Sequence, residues 1–311
     1  MRNAFAAAIT ELAASDIRVV LLSGDIGNRL FDKYKESFAD RFYNCGVSEA
    51  NMTGMAAGMA LCGLRPFIYT ITPFATTRAL EQIRVDICYH DVPVTIVGTG
   101  SGLSYASLGP THHSLEDVAM LRCLPNMKVI CPADSAEVRG ALPAVLKQDS
   151  PAYIRLGKKG EPAVHRTDPT FVIGRGIVVS EGTDVCFLGM GNAVIIAVEA
   201  AEKLRPRGIS SKVVSLHTVK PLDDALLEDA FKRFKAVVVV EEHSVIGGLG
   251  SAIGEWIVAR RLSAARLLIF GTPDEFLSEA GDQQHARRKF GLTPDAIARR
   301  VLELVSGSGS A

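Results

Sequence analysis

The chain predicts an α/β protein built from two doubly wound domains, and three observations predict it. Short β-branched runs alternate with longer stretches of helical periodicity, the pattern of parallel sheets joined by helices. Gly-, Asp- and Pro-rich turns mark nearly every change of type. At 311 residues the chain exceeds one ordinary core, and a polar, Pro/Gly-rich stretch divides it near the middle.

The first domain is read over 1–160. It opens with an Ala-rich amphipathic helix across Met1–Ser15, interrupted by Thr10 and Glu11, which does not have the unbroken apolar run of a signal peptide. Strands are expected at Val19–Leu22, Phe42–Asn44, Phe67–Thr70, Val94–Val97, Lys128–Ile130 and Ala152–Arg155, with helices at Asn51–Leu61, Ala75–Ile87 and Ser135–Leu146. Residues 161–175, with Pro162 and Asp168-Pro169, have no periodicity and read as a linker.

The second domain is read over 176–306. Its strands are expected at Asp184–Leu188, Lys212–Ser215, Ala236–Val240 and Arg266–Ile269. Helices are expected near Ala193–Leu204, Asp223–Phe234, Ser251–Arg260 and Pro294–Val305. The run Val237–Val240 lacks alternation, which suits a central strand covered on both faces. Gly307–Ala311 reads as a flexible tail.

Composition narrows the function classes. Lys+Arg equals Asp+Glu at 34 each and 48% of residues are hydrophobic, which argues against disorder and against a nucleic-acid or anionic-membrane surface. No apolar run is long enough to span a bilayer. Cys45, Cys62, Cys88, Cys123, Cys131 and Cys186 form no C-x-x-C pair, so neither zinc nor a disulfide framework is indicated. Buried thiols in a reducing cytoplasm are the expectation. Stacked α/β domains host many chemistries, and the residues at the strand ends must decide.

The most informative segment is Gly46-Val-Ser-Glu-Ala-Asn-Met52 followed by Thr53-Gly-Met-Ala-Ala-Gly-Met-Ala60. A strand runs into Glu49 and a helix of small residues leaves it. Ser48 is placed to cap that helix, which sets Glu49 beside the positive end of its dipole. Complementing the dipole is one role for Glu49; the carboxyl end of a parallel strand is also where such sheets bind ligands.

That segment resembles the Gly-x-x-Glu-x-x-Met segment of transketolases and deoxyxylulose-phosphate synthases, and further matches follow in order. Pro66-Phe-Ile-Tyr-Thr-Ile-Thr-Pro-Phe-Ala-Thr-Thr-Arg-Ala-Leu-Glu-Gln-Ile83 is similar to the segment beside the cofactor pyrimidine. Gly109-Pro-Thr-His-His-Ser-Leu-Glu-Asp117 resembles the substrate-facing loop. Cys131-Pro-Ala-Asp134, Tyr153-Ile-Arg-Leu-Gly157, Val219-Lys-Pro-Leu-Asp223 and Glu241-Glu-His243 with Gly247-Gly-Leu-Gly250 complete a colinear series over nearly the whole chain.

The resemblance implies a thiamine-diphosphate pyrimidine-binding domain followed by a transketolase C-terminal domain, and it assigns roles. Thiamine diphosphate loses a proton from its thiazolium carbon to its own 4'-amino group, which is made basic by a carboxyl group bonded to N1' of the ring. Glu49 stands at that position, which needs a buried, partly apolar site. Phe74 matches the aromatic that stacks on the pyrimidine, and Ile71 adds apolar contact. Asp25 matches an acidic residue near the cofactor, and serves equally as an ordinary turn residue. His112 matches the histidine that bonds the substrate carbonyl or oxyanion and relays protons. His113 follows it, but adjacent side chains in an extended loop diverge, and no metal site is assigned to this chain.

Departures from the pattern fall around the substrate. Leu108 stands where most transketolases have an Asp that contacts a sugar hydroxyl, and Gly100 where they have a phosphate-binding His. Lys158 replaces a phosphate-binding Arg, offering a point charge without the bidentate fork, and Arg29 is a second candidate cation. The family holds the diphosphate and its metal with Gly-Asp-Gly followed some tens of residues later by Asn. No Gly-Asp-Gly occurs here. The expectation is therefore the C-terminal subunit of a split transketolase, active only with a partner. That partner, an N-terminal diphosphate-binding subunit, would share the cofactor and hold its Mg2+ or Ca2+, in an α2β2 heterotetramer acting in the cytoplasm on a small sugar or keto substrate. Alternatives are acyloin or deoxy-sugar synthesis, the pyrimidine-side subunit of a 2-oxo acid dehydrogenase, and an inactive scaffold. A nucleotide-binding module has less support, because no Gly-x-Gly-x-x-Gly follows an expected strand.

Overall fold

A computed structural model describes residues 1–158, 160–262 and 265–307. Most of the expected tail, 308–311, lies outside the described residues. Twelve strands among the described residues form two sheets. The first contains β1 (Val19–Ser23), β2 (Phe42–Asn44), β3 (Arg65–Ile71), β4 (Thr95–Thr99), β5 (Lys128–Ile130) and β6 (Ala152–Leu156), all parallel, in the order β5-β6-β4-β3-β1-β2. The second contains β7 (Ile177–Ser180), β8 (Val185–Met190), β9 (Ser211–Ser215), β11 (Ala236–Ser244) and β12 (Arg266–Thr272), in the order β12-β11-β8-β9-β7. β7 runs antiparallel at its edge. The remaining strand, β10 (Thr218–Lys220), comes from the second half but pairs antiparallel with β5, closing the edge of the first sheet.

The inner parallel strands β1, β4, β6, β8 and β11 are buried almost throughout, covered on both faces, which explains the unbroken apolar runs. In β1, Val20 and Leu22 face one core while Val19 and Leu21 face another, packed under the helix Arg2–Ser15 through Phe5 and Ile9. The expected central strand is confirmed: Val237 and Val239 join the first of these cores, and Val238 and Val240 join a third beneath Val194–Leu204 and Pro294–Val305. The core that holds Val20, Ile68 and Ile96 runs on without a break to Leu188, Leu216, Leu249 and Trp256 of the second half.

Several expectations need correction. The helix expected at Ala75–Ile87 begins earlier and is broken: a turn at Thr72–Ala75, a 3-10 turn at Thr77–Ala79, a turn at Leu80–Gln82 and a π-helical stretch over Ile83–Tyr89. Pro73 starts it, and the Thr76 hydroxyl donates to the Thr72 carbonyl at 2.8 Å, a local bond that competes with regular helix. Residues 161–175 contain no helix or strand but are strapped down. Asp134, which caps the helix Ser135–Leu146, also accepts from the backbone of Val164 and His165, and Phe171 stacks on His217 at 4.0 Å. Cys88, Cys131 and Cys186 are buried as expected, whereas Cys62 and Cys123, each at a helix end, are exposed. Among the described residues no helix is long and apolar enough to cross a membrane.

Candidate active site

The first sheet reverses its order between β1 and β3, so the crevice lies beyond the carboxyl ends of these strands. Glu49 is the first residue of the helix Glu49–Leu61 and is only 5% exposed. Ser48 occupies the cap position, but its side chain makes no capping bond, contrary to expectation. The partner of the Glu49 carboxylate is a residue that the sequence did not single out. Arg78 Nη1 lies 3.4 Å from Glu49 Oε2, and the same guanidinium sits 3.8 Å over the ring of Phe74. The broken helix makes this meeting possible, because it turns Phe74 and Arg78 to one side just after β3.

His112 comes to the same place from the loop after β4. Its ring is 5.2 Å from that of Phe74 in an edge-on arrangement, and its Nδ1 is 3.0 Å from Thr111 Oγ1. Partial burial, then the nearby Arg78 charge and His113, lower its pKa, so the neutral imidazole is favoured. The second histidine borders the same cavity but is buried and tied to the backbone: His113 Nε2 lies 3.3 Å from the Ala106 carbonyl. Between Phe74, Arg78, His112, Met120 and Phe276 a cavity of about 640 Å³ opens, mostly apolar in lining.

Tyr105 is the second residue that sequence reasoning missed. Its ring centroid is 6.1 Å from that of His112, and Lys158 Nζ lies 4.6 Å over its ring. A Cβ built on Gly100 would come within 1.9 Å of the Tyr105 ring, and Gly100 has a left-handed φ of 76°. Tyr105 thus fills the space that a side chain at 100 would take. No pattern in the sequence marks it, because Tyr105 and Gly100 meet only through the fold of the loop.

The other expected residues are less central. Ile71 ends β3, half-buried, directly before the Phe74 turn. Asp25 is exposed with φ 56° and accepts from Asn44 Nδ2 at 2.9 Å; Arg29 is exposed with φ 63°. Leu108 is 52% exposed and does not line the 640 Å³ cavity. Lys158 lines a different cavity of about 260 Å³, between the halves, with Asn192, Gln283 and Arg287.

What the site can hold follows from its donors. A buried carboxylate linked through Arg78 to Phe74, whose ring lines a largely apolar cavity, fits a protonatable heteroaromatic ring. Among the described residues no group of three or more His, Cys, Asp or Glu is placed to hold a metal ion. The residues therefore fit the pyrimidine end of a thiamine cofactor.

The family description "Transketolase, pyrimidine binding domain" matches residues 1–161, and "Transketolase, C-terminal domain" matches residues 174–297. The chain is 37% identical over 306 residues to the 6-deoxy-6-sulfo-D-fructose transketolase subunit of Clostridium sp. (strain MSTE9), covering 98% of this chain and 94% of that one. It is 31% identical to an apulose-4-phosphate transketolase subunit of Phocaeicola vulgatus, covering 98% and 97%. A solved structure described as a split gene transketolase, inactive beta4 tetramer, matches with a TM-score of 0.88 at 36% identity, covering 98% and 97%.

Proposed function

The chain belongs to the transketolase family, and from that premise we propose that it supplies the pyrimidine side of a thiamine-diphosphate site completed by a second subunit. It is a subunit of a split transketolase, a thiamine-diphosphate-dependent transferase that passes a two-carbon ketol unit from a ketose to an aldehyde. The observation that carries the finer reading is the buried Glu49 carboxylate joined through Arg78 to Phe74, with the His112 ring edge-on to Phe74 at 5.2 Å in the wall of one cavity.

When bound, the cofactor supplies the thiazolium carbon that carries the two-carbon unit. Glu49 shares its proton with the pyrimidine N1', and its burial keeps water from competing for that bond. Phe74 and Ile71 give the ring an apolar bed, and Asp25 follows the neighbouring strand β1 at the same carboxyl end of the sheet. His112, held neutral and bonded through Nδ1 to Thr111, offers its remaining nitrogen to the substrate carbonyl and moves a proton there. Lys158, with Arg29 as a second cation, serves an anionic group at the far end of the donor. The sulfo and phosphate sugars in the relatives' names fit such a role. Leu108, exposed on the His112 loop but outside the cavity, presents no acceptor for a sugar hydroxyl, so donors other than ketopentose phosphates are favoured.

The diphosphate and its Mg2+ or Ca2+ belong to an N-terminal transketolase subunit, and the pair assembles as α2β2. A relative whose beta4 tetramer is described as inactive supports this division. The test is reconstitution. Alone, the chain binds thiamine diphosphate weakly in calorimetry and transfers no ketol unit; mixed with the partner subunit it does both, with an α2β2 mass by light scattering. Tight metal-dependent cofactor binding by the isolated chain overturns the reading.

A further inference from the structure

The segment that carries Tyr105, Leu108 and His112 is a loop closed at its neck, and the closure is made from the other half of the molecule. At the neck, Gly102 and Ser114 exchange backbone hydrogen bonds at 3.1 and 3.0 Å. Glu242 of β11 reaches it, fully buried, and its Oε1 accepts from the Leu103 N–H at 2.7 Å. Gly102 is fitted to that carboxylate: its φ is 62°, and a Cβ there would lie 2.5 Å from Glu242 Oε1. The exit of the loop is held as well. Arg155 donates to the Ser114 carbonyl at 2.8 Å and to the Glu242 carbonyl at 3.1 Å, and Ser244 N–H donates to Leu115 at 2.8 Å.

Behind Glu242 stands a set of donors from the second half. Gln283 donates to both carboxylate oxygens, Asn192 to Oε1, and Arg287 pairs with Oε2 at 2.5 Å. A carboxylate buried this completely and held by four side-chain and backbone groups has one geometry. The loop it grips is otherwise half-exposed at Tyr105 and His112 and exposed at Leu108.

We propose that Glu242 is a positioning residue for the reaction. From the second half it fixes the neck of the loop that sets His112 in the cavity wall and Tyr105 beside it. The C-terminal half thereby contributes to the site beyond the wall that Phe276 supplies. This rests on the reading of His112 as the substrate-facing group, and the experiment separates the two.

The experiment compares Glu242→Ala and Gln283→Ala with the unmodified chain. Gln283→Ala removes one donor and leaves the Glu242–Arg287 ion pair in place, so it remains informative if Glu242→Ala does not fold. Amide hydrogen exchange over 103–113 should accelerate about tenfold or more in Glu242→Ala and less in Gln283→Ala, with the helix Glu49–Leu61 unchanged. Because the loosened loop meets more water, the His112 imidazole should titrate closer to the ordinary value of about 6.5. In the reconstituted pair, kcat should fall about ten- to a hundredfold with little change in the donor KM. A global loss of stability accelerates exchange everywhere and leaves the His112 titration in place. That result, or an unchanged loop, overturns the inference. His112→Ala in the same assay tests the underlying reading: full activity there removes the role of His112, whatever the loop does.

Discussion

The two sheets reverse their strand order at equivalent places, between β1 and β3 in the first and between β8 and β11 in the second. What stands beyond the strands differs in kind. After the first reversal, Phe74, Arg78 and His112 are half-exposed or exposed around an open cavity, and Glu49 has one charged neighbour at 3.4 Å. After the second, Glu241, Glu242 and His243 are fully buried and heavily bonded: Glu241 alone accepts from the backbone of Leu249 and Gly250. Arg155 and Asp117, paired at 2.7 Å in the same interior, extend this closed set into the first half. A switch point offers a ligand site only where its polar groups still want partners. Where they satisfy one another, the same topology becomes a joint.

The largest contrast should come from the open side. Glu49→Gln, assayed in the reconstituted pair, should slow proton exchange at the thiazolium carbon by roughly 10²–10⁴-fold while folding and subunit association persist. Exchange at the wild-type rate would reduce Glu49 to a charge at a helix end.

The closed side should answer in stability rather than chemistry. Arg155→Met leaves Asp117 buried without its cation, and loss of one partner of such a pair costs about 3–5 kcal/mol. Arg78→Ala removes a half-exposed cation from an open site and should cost no more than about 1 kcal/mol. Denaturant unfolding of both variants checks the comparison, and equal losses would break it.

A smaller effect is expected on the loop outside the cavity. Leu108→Asp adds an acceptor at a position that has none, and should shift kcat/KM toward donors that carry the matching hydroxyl by about tenfold. A panel of donors with and without that hydroxyl and the phosphate measures it. A wild-type chain that already strongly prefers xylulose 5-phosphate would show that other residues bind those groups.

The smallest effect is a slope with pH. Burial pushes the Glu241 carboxyl up from 4.5 to about 7 and the His243 imidazole down from 6.5 to about 4. The folded chain binds the extra proton at Glu241 between these limits, so that contribution to stability falls as pH rises from 4.5 to 7. His243 does the opposite: its contribution is lost as pH falls from 6.5 through 4. The two slopes oppose each other where the windows overlap. Glu241→Gln should expose the His243 slope, a rise of up to about 1.4 kcal/mol per pH unit between about pH 5 and 6. An unchanged pH profile would mean that the buried pair does not compensate.

The sequence by itself determined the alternation of strands and helices, the doubly covered strand at Val237–Val240 and the placing of Glu49 between a strand and a helix of small residues. These are properties of neighbouring residues: a run without alternation reports burial on both faces, and a turn between periods reports a strand end. Colinear resemblance then brought Phe74 and His112 into one site, where the structure places them 5.2 Å apart. Only the tertiary structure decided what lies around them. Arg78 meets Glu49 across 29 residues because the expected helix breaks after Pro73, and Tyr105 fills the space beside Gly100 because the loop folds back on its neck. Glu242 reaches Leu103 across 139 residues, and β10 leaves its own half to pair with β5. Such contacts depend on how two cores pack together, and no local period in the chain encodes that.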